Sequence, residues 1–310
     1  MKKLICIVIV LIISMSNISA KNIGIAWVGK ASMQDNVLSG LLSQFNKYNE
    51  NINIEIKKEL SSVNELKKLA LKWDTEKDAM ILLRSNAAKM LVTTKTTIPT
   101  FIGGTNHPIA LGTVKSFIAP EGNITGVTYY IDKKTTLRMI KLFIPNMTSI
   151  LFIGELGHPS TPIEQEETKQ HSQNIYKIKY DEITSNSLEF ILKKIKEKSN
   201  NFSAIVLGNQ ALIMDNAAEI TKAAKNTPVF SYSKVSVANG ALAGYSSDDN
   251  KQGILLAQSV YSILFENKKV SETPIKIDHT PLFYVNKKTL QRLNMKVPVR
   301  LKDKIIYLDN

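Results

Sequence analysis

After residue 20, short apolar runs alternate with longer stretches in which apolar residues recur every three or four positions. Residues 22–28 form a β-branched, apolar run suited to a buried parallel strand. In residues 33–48, Val37, Leu38, Leu41, Leu42 and Phe45 fall on one helical face. The alternation continues with strands at 51–57, 79–83 and 98–102, a helix at 63–73, and a further helix opening at Ser85. It resumes after residue 132. There the pattern predicts helices at 133–143, from Thr161-Pro162 onward, at 188–195 with Asn186 as cap, and at 209–224. The strands between them fall at 149–153, 174–179, 203–207 and 228–231.

A strand at 241–245 then leads through Asp248, a helix cap, into a long helix ending at Phe265. An extended tail follows over 271–284, and a last short helix over 286–293. Two β-α-β-α series predict an α/β fold of two doubly wound parallel-sheet lobes joined by a hinge. The first crossing falls at residues 122–134, where Gly122 and Gly126 bracket a β-rich run and Asp132 can cap the next helix. Returning the long helix to the first lobe gives residues 21–127 plus about 249–272 as lobe 1. Residues 128–248 plus about 273–310 make lobe 2.

Composition adds a leader to this picture. Lys2 and Lys3 precede an unbroken apolar run, residues 4–13, and Ile18-Ser19-Ala20 offers a small-residue cleavage site, so residues 1–20 read as a signal peptide. The run is too short for a spanning helix, which needs about 20 apolar residues. The expected product is exported, periplasmic and soluble. Cys6 is the sole cysteine, lies within the leader, and lacks the small residue that precedes a lipidated cysteine. Disulfide and thiol chemistry are therefore excluded from the mature chain. The formal charge of +13 falls to +11 without Lys2 and Lys3. The lysines are dispersed along helices and mixed with Glu, with no aromatic-interleaved basic tract, which describes a solvated surface and no nucleic-acid partner.

In open α/β sheets, ligands lie beyond the carboxyl ends of the strands. The loops expected there carry Ser85, Asn86, Thr105, Ser160, Thr161, Asn209, Gln210 and Asp248, suited to a small polar or zwitterionic molecule. Trp27, Tyr130, Tyr232 and Tyr245 offer apolar walls. No nucleophile elbow, phosphate loop or dinucleotide fingerprint is present, which argues against an enzyme. His107 and His158 lie on cleft loops of opposite lobes, but two histidines make an incomplete zinc set, so no metal and no cofactor is expected.

The string Gly122-Asn123-Ile124-Thr125-Gly126-Val127 is similar to the Gly-Asn-Val-Thr-Gly-Val of a known family. Gly240-Ala241-Leu242-Ala243 with Asp248 and Gly253, Ile98-Pro99 before residues 105–108, Pro228-Val229-Phe230 and Met33-Gln34-Asp35 follow in matching order. Across nearly the whole mature chain, the sequence resembles solute-binding components of ABC transporters of the tryptophan/tyrosine-binding kind, with the type I periplasmic-binding fold. The resemblance implies capture of an amino acid or derivative, possibly aromatic, between the lobes and its delivery to an ABC permease by a monomer. It implies that Ser85, Asn86, Ala87 and Ala88 form the helix start receiving a ligand carboxylate, that Thr161 opens the second-lobe helix, and that Asp248 pairs with an ammonium. Asp35 joins the site through its loop and His107 through the loop after the fourth strand. The chain departs from the family pattern where Asp-Pro becomes His107-Pro108, Asp-Asn becomes Asn209-Gln210, and the Tyr after the cleft aspartate becomes Asp249. A sensing module reporting to a membrane receptor and a secreted α/β enzyme are the rival readings.

Overall fold

The computed structural model of the chain describes residues 20–30 and 32–309. The expected leader, apart from Ala20, lies outside the described residues, as does Cys6. Among the described residues, no helix is long and apolar enough to cross a membrane.

The first half comprises β1 (Lys21–Val28), α1 (Ser32–Tyr48), β2 (Ile52–Leu60), α2 (Val63–Glu76), β3 (Ala79–Leu83), α3 (Ser85–Leu91), β4 (Thr100–Thr105) and β5 (Ile124–Thr128). The second half begins with α4 (Lys133–Phe143), β6 (Ser149–Glu155), α5 (Thr161–Gln170), β7 (Lys179–Ser185), α6 (Leu188–Lys198) and β8 (Ala204–Leu207). It continues with α7 (Ala211–Asp215), α8 (Ala217–Ala223), β9 (Val229–Ser231), α9 (Lys234–Ala238) and β10 (Ala243–Ser246). The chain closes with α10 (Asp249–Leu264), β11 (Lys276–Ile277), β12 (Leu282–Asn286), α11 (Lys287–Arg292) and β13 (Ile305–Leu308).

Two sheets result, ordered β11-β5-β4-β3-β1-β2 and β13-β12-β10-β9-β8-β6-β7. The first is parallel throughout, and the second is parallel except where β12 runs against β10. Strands buried on both faces need apolar residues at successive positions, and Ala79–Leu83 is buried at every one. One face of the first sheet packs Ile23, Ile25 and Ile81 against Val37, Leu41, Leu256 and Val260. The other packs Ala26, Met80 and Leu82 against Leu66, Ala70 and Trp73. α10 therefore belongs with the first sheet although it follows β10 of the second. Its seat on α1 requires glycine, because a Cβ on Gly253 would lie 2.0 Å from the Val37 carbonyl oxygen and one on Gly40 2.0 Å from that of Asn250.

The chain passes between sheets at residues 129–132, 247–248 and 278–281. Asp132 caps α4 by accepting from the Lys134 N–H at 2.8 Å, and Asp248 caps α10 by accepting from the Lys251 N–H at 3.1 Å. The third passage is tied by Asp278, whose carboxylate accepts from Lys251 Nζ at 2.6 Å and the Asp248 N–H at 3.1 Å.

Several expected elements differ. The strand expected at 174–179 lies at Lys179–Ser185. A π-helical turn, His171–Ile175, extends α5, the Tyr176 N–H closes onto the His171 carbonyl, and Lys177 takes φ 54, so that apolar run turns back instead of extending. Ser187 rather than Asn186 caps α6 by accepting from the Phe190 N–H. The helix expected over 209–224 is two, broken at Asn216 (φ −109, ψ 22), whose side chain donates to the Leu212 carbonyl. The extended tail is two strands, one in each sheet, and α9 and β13 were not foreseen.

Candidate functional site

The carboxyl ends of the two sheets meet, and a seam of buried polar groups joins them. From the first lobe come Ser85, at the start of α3, and Asn106, just after β4. From the second come Ser160, before α5, and Glu164, one turn into it. The Asn106 N–H donates to Ser85 Oγ at 3.0 Å, Ser160 Oγ donates to Ser85 Oγ at 3.0 Å, and Asn106 Nδ2 donates to Glu164 Oε1 at 2.9 Å. The Tyr129 hydroxyl, on the first crossing, sits beside both serines.

Glu164 is fully buried and organises the second-lobe side. Its Oε2 accepts from the Asn209 N–H at 3.0 Å and Gln210 Nε2 at 2.8 Å, and its Oε1 lies 3.9 Å from Lys133 Nζ. Lys133, in the first turn of α4, is 3 % exposed and places its ammonium 3.5 Å from the centre of the Tyr232 ring. Burial pulls its pKa below the usual lysine value, while Glu164 opposes the shift. A buried carboxylate with three N–H donors and a nearby ammonium is the kind of anion that a protein interior tolerates.

The seam thus unites Ser85, Ser160, Asn209 and Gln210 of the residues expected from sequence. Asn106, Tyr129, Lys133 and Glu164 were missed. The available signal for Glu164 was its place in the first turn of a helix opening at the cleft. Thr105 is fully buried beside the seam, with its hydroxyl unpaired and its carbonyl accepting from Thr128 Oγ1. Thr161 Oγ1 donates to the Glu155 carbonyl at 2.7 Å. Tyr130 donates to Glu167 at 3.0 Å and packs its ring 4.3 Å from His107, which also faces Phe117. Burial lowers the pKa of His107 and takes that of His158 down to about 4, with Arg84 adding to the second shift.

Other expected residues lie elsewhere. Trp27 is 1 % exposed within the first-lobe core, and Ala87 and Ala88 pack into the opposite face of the same sheet. Asn86 is half-buried in the first turn of α3. Asp35 is exposed and pairs with Lys58 at 2.8 Å. The Asp248 carboxylate is engaged as the α10 cap. Tyr245 packs its ring, tilted, against Phe283, ring centres 4.8 Å apart.

A second region of the cleft differs. A cavity of ≈ 10 Å³, about one water in size, is lined by Met33 of α1 and Asp249 of α10 on one side. Met214, Asp215, Ser233, Val235 and Ser246 line it on the other. Burial is the main cause that pushes the Asp249 carboxyl up to about 7, with Asp248 adding to the shift and Asn36 opposing it. Nearby stands Arg84, whose guanidinium donates to the Val28 carbonyl and faces Tyr129, Glu155 and Asp215; burial lowers its pKa. Sequence reading missed Arg84 and the role of Asp249. Among the described residues, no group of three or more His, Cys, Asp or Glu is arranged to hold a metal ion.

The profile of the ABC transporter substrate binding protein family matches residues 27–305. The chain belongs to that family. This substrate-binding protein is 23% identical over 285 residues to a protein of Clostridioides difficile (strain R20291) named tyrosine-binding protein, covering 89% of this chain and 81% of that one. Its fold is similar to that of an ABC domain from Streptococcus pneumonia solved in complex with L-Trp (TM-score 0.83, 18% identity, 94% of this chain and 100% of that one). It is equally similar to a conserved domain protein from Vibrio cholerae (TM-score 0.83, 20% identity, the same coverage). A ligand-free, open substrate binding protein with adhesive properties from Clostridium difficile follows at TM-score 0.77, 20% identity and the same coverage. The architecture is the type I periplasmic-binding fold, and the family is one of substrate-binding proteins of ABC transporters.

Proposed function

We propose that this protein is the exported, monomeric solute receptor of an ABC importer, and that it captures an amino acid or a close derivative by hinge closure between its lobes. The supporting observation is the pair of direct inter-lobe hydrogen bonds, Ser85 with Ser160 and Asn106 with Glu164, at loops where open α/β sheets hold ligands. The cavity of ≈ 10 Å³ lined by Met33 and Asp249 is too small for an amino acid, so binding in it requires the lobes to part and re-close. The names of the relatives, one tyrosine-binding and one complexed with L-Trp, favour an aromatic amino acid as the first solute to try. The closed pair of lobes is then what a membrane permease would receive.

Isothermal titration of the mature chain against the twenty amino acids, with small-angle scattering of free and loaded protein, tests this. Saturable binding of one amino acid with a change in the radius of gyration is expected. A folded protein that binds none of them would sink the amino-acid reading, and binding with no change in shape would sink hinge closure.

A further inference from the structure

Residues 287–304, between β12 and β13, hold seven lysines and arginines and one acid, Asp303. Their net +6 is nearly half of the +13 carried by all 310 residues. The fold makes this segment a fixed surface of the second lobe and not a loose tail. Leu290, Leu293, Met295, Val297 and Leu301 pack inward on the second-lobe core. The Thr289 hydroxyl donates to the Gly240 carbonyl at 2.9 Å, and β13 pairs with β12 from Ile305 to Leu308. With the apolar side chains turned inward, all seven cations are left exposed.

Lysines that serve only solubility sit among acidic partners, as Lys72 does with Glu76 on α2 and Lys194 with Glu197 on α6. This edge is different. Lys287 pairs with Asp309 at 2.8 Å and Arg292 donates to the Lys225 carbonyl, but the other five cations make no ion pair among the described residues. Apolar tips stand among them: Val299, next to Arg300, is 78% exposed, and Ile306 and Tyr307 are 41% exposed. The Tyr307 ring lies 5.5 Å from Lys287 Nζ. Single exposed apolar residues are ordinary, but cations interleaved with them on one face have the composition of an interfacial surface. There, aliphatic and aromatic tips enter the headgroup layer while lysine and arginine meet its phosphates.

β13 is also the edge strand of its sheet, where a second copy could pair only by bringing +6 against +6. That like charge disfavours a homodimer and favours a polyanion. A nucleic acid strand would call for aromatic platforms along a basic groove, and Tyr307 is the one aromatic residue in 287–309. We propose that this edge of the second lobe docks the protein on an anionic phospholipid bilayer, with its cations on lipid phosphates and Val299, Ile306 and Tyr307 at headgroup level. Such docking holds at the bilayer a chain that has no membrane-crossing helix among its described residues, whatever solute the cleft takes.

The experiment floats the mature chain with vesicles of phosphatidylcholine alone and of equimolar phosphatidylcholine and phosphatidylglycerol. Wild type should bind the anionic vesicles, leave the neutral ones alone, and come off as salt is raised. Neutralising Lys296→Gln, Arg300→Gln and Lys302→Gln together should weaken binding about 100-fold, since each cation near an anionic leaflet is worth about five-fold. The same loss of charge on the first lobe, Lys67→Gln, Lys68→Gln and Lys72→Gln on α2, should change binding by less than about five-fold. Trp27 and Trp73 are buried, so Val299→Trp adds a surface reporter whose emission should shift to the blue on anionic vesicles only. Equal losses in the two triple variants would mean that overall charge, and not this edge, does the binding, and would overturn the proposal. So would an emission from Val299→Trp that stays unmoved on bound vesicles. A folded wild type that shifts a DNA duplex but ignores anionic vesicles would assign the edge to nucleic acid instead, and one that binds neither would leave it a solvated surface; both results overturn the proposal.

Discussion

Two regions of the cleft are built on different plans. At the seam, Ser85, Asn106, Ser160, Glu164, Gln210 and the Asn209 N–H bond one another across the lobes, and a buried Lys133 sits close to the one carboxylate. Around Arg84 and Asp249, charged groups have been brought largely out of water without ion-pair partners among the described residues, and Asp249 lines a cavity about the size of one water. Polar groups already satisfied in a low-dielectric setting confer rigidity and shape, whereas unsatisfied ones hold free energy available to whatever completes them.

The comparison breaks most decisively at Glu164. Glu164→Ala should leave Lys133 as a buried, unpaired charge and orphan the donors of Asn106, Asn209 and Gln210. The expected cost is about 3–5 kcal/mol in urea unfolding. A loss under about 1 kcal/mol would mean that the seam contributes shape but little energy.

Asp249 should respond to pH with the sign of a raised carboxyl. Its folded value, about 7, exceeds the ordinary 3.8 because burial disfavours the charge. The native state then holds a proton that the unfolded chain has released. That stability is full below the unfolded value and is lost as pH rises toward and through 7, with a slope of at most about 1.4 kcal/mol per pH unit. Urea melts between pH 5 and 8 should show the slope in wild type and its loss in Asp249→Asn. Parallel curves for the two proteins would place the carboxyl in water.

Neighbouring Asp248 sharpens the contrast between a carboxylate engaged as a helix cap and one that lines the cavity. Asp248→Ala should cost about 1 kcal/mol of stability as a lost cap and leave ligand affinity nearly unchanged. If it instead abolished binding while the melt stayed put, the ammonium site would belong to Asp248, as the sequence led us to expect.

That pair also marks where sequence reading stops. The long elements were legible because their periodicity is enforced by burial. Val37, Leu38, Leu41 and Phe45 on α1, and Leu256, Ala257 and Val260 on α10, face one core. The loops at the strand ends were legible because parallel sheets dictate where such loops gather, which brought Ser85, Ser160, Asn209 and Gln210 to one place. The apolar run at 174–179 misled because Tyr176 and Ile178 reach a core from a turn as readily as from a strand. Glu164 and Lys133 resemble any other charged pair on lysine- and glutamate-rich helices until two lobes close over them. Arg84 carries no sequence signal at all: its φ of 80 and the acidic groups it faces appear only in the fold. Between Asp248 and Asp249, one helical position decides which carboxylate caps α10 and which is left to face the cavity.

The smallest effect tests whether the seam couples the lobes or merely lies where they meet. Ser85→Ala and Ser160→Ala each remove one hydroxyl of a 3.0 Å bond that spans the cleft. If the bond joins the lobes, the two losses will not add in a double-mutant cycle, and a coupling of about 1 kcal/mol is expected, the ordinary worth of a hydrogen bond. The Asn106 N–H, which donates to Ser85 Oγ, stays within Ser85's own lobe, so its contribution cancels in the cycle. Strict additivity would mean that Ser85 serves its own loop alone. The direct bonding between the lobes at the seam would then narrow to the single bridge from Asn106 to Glu164.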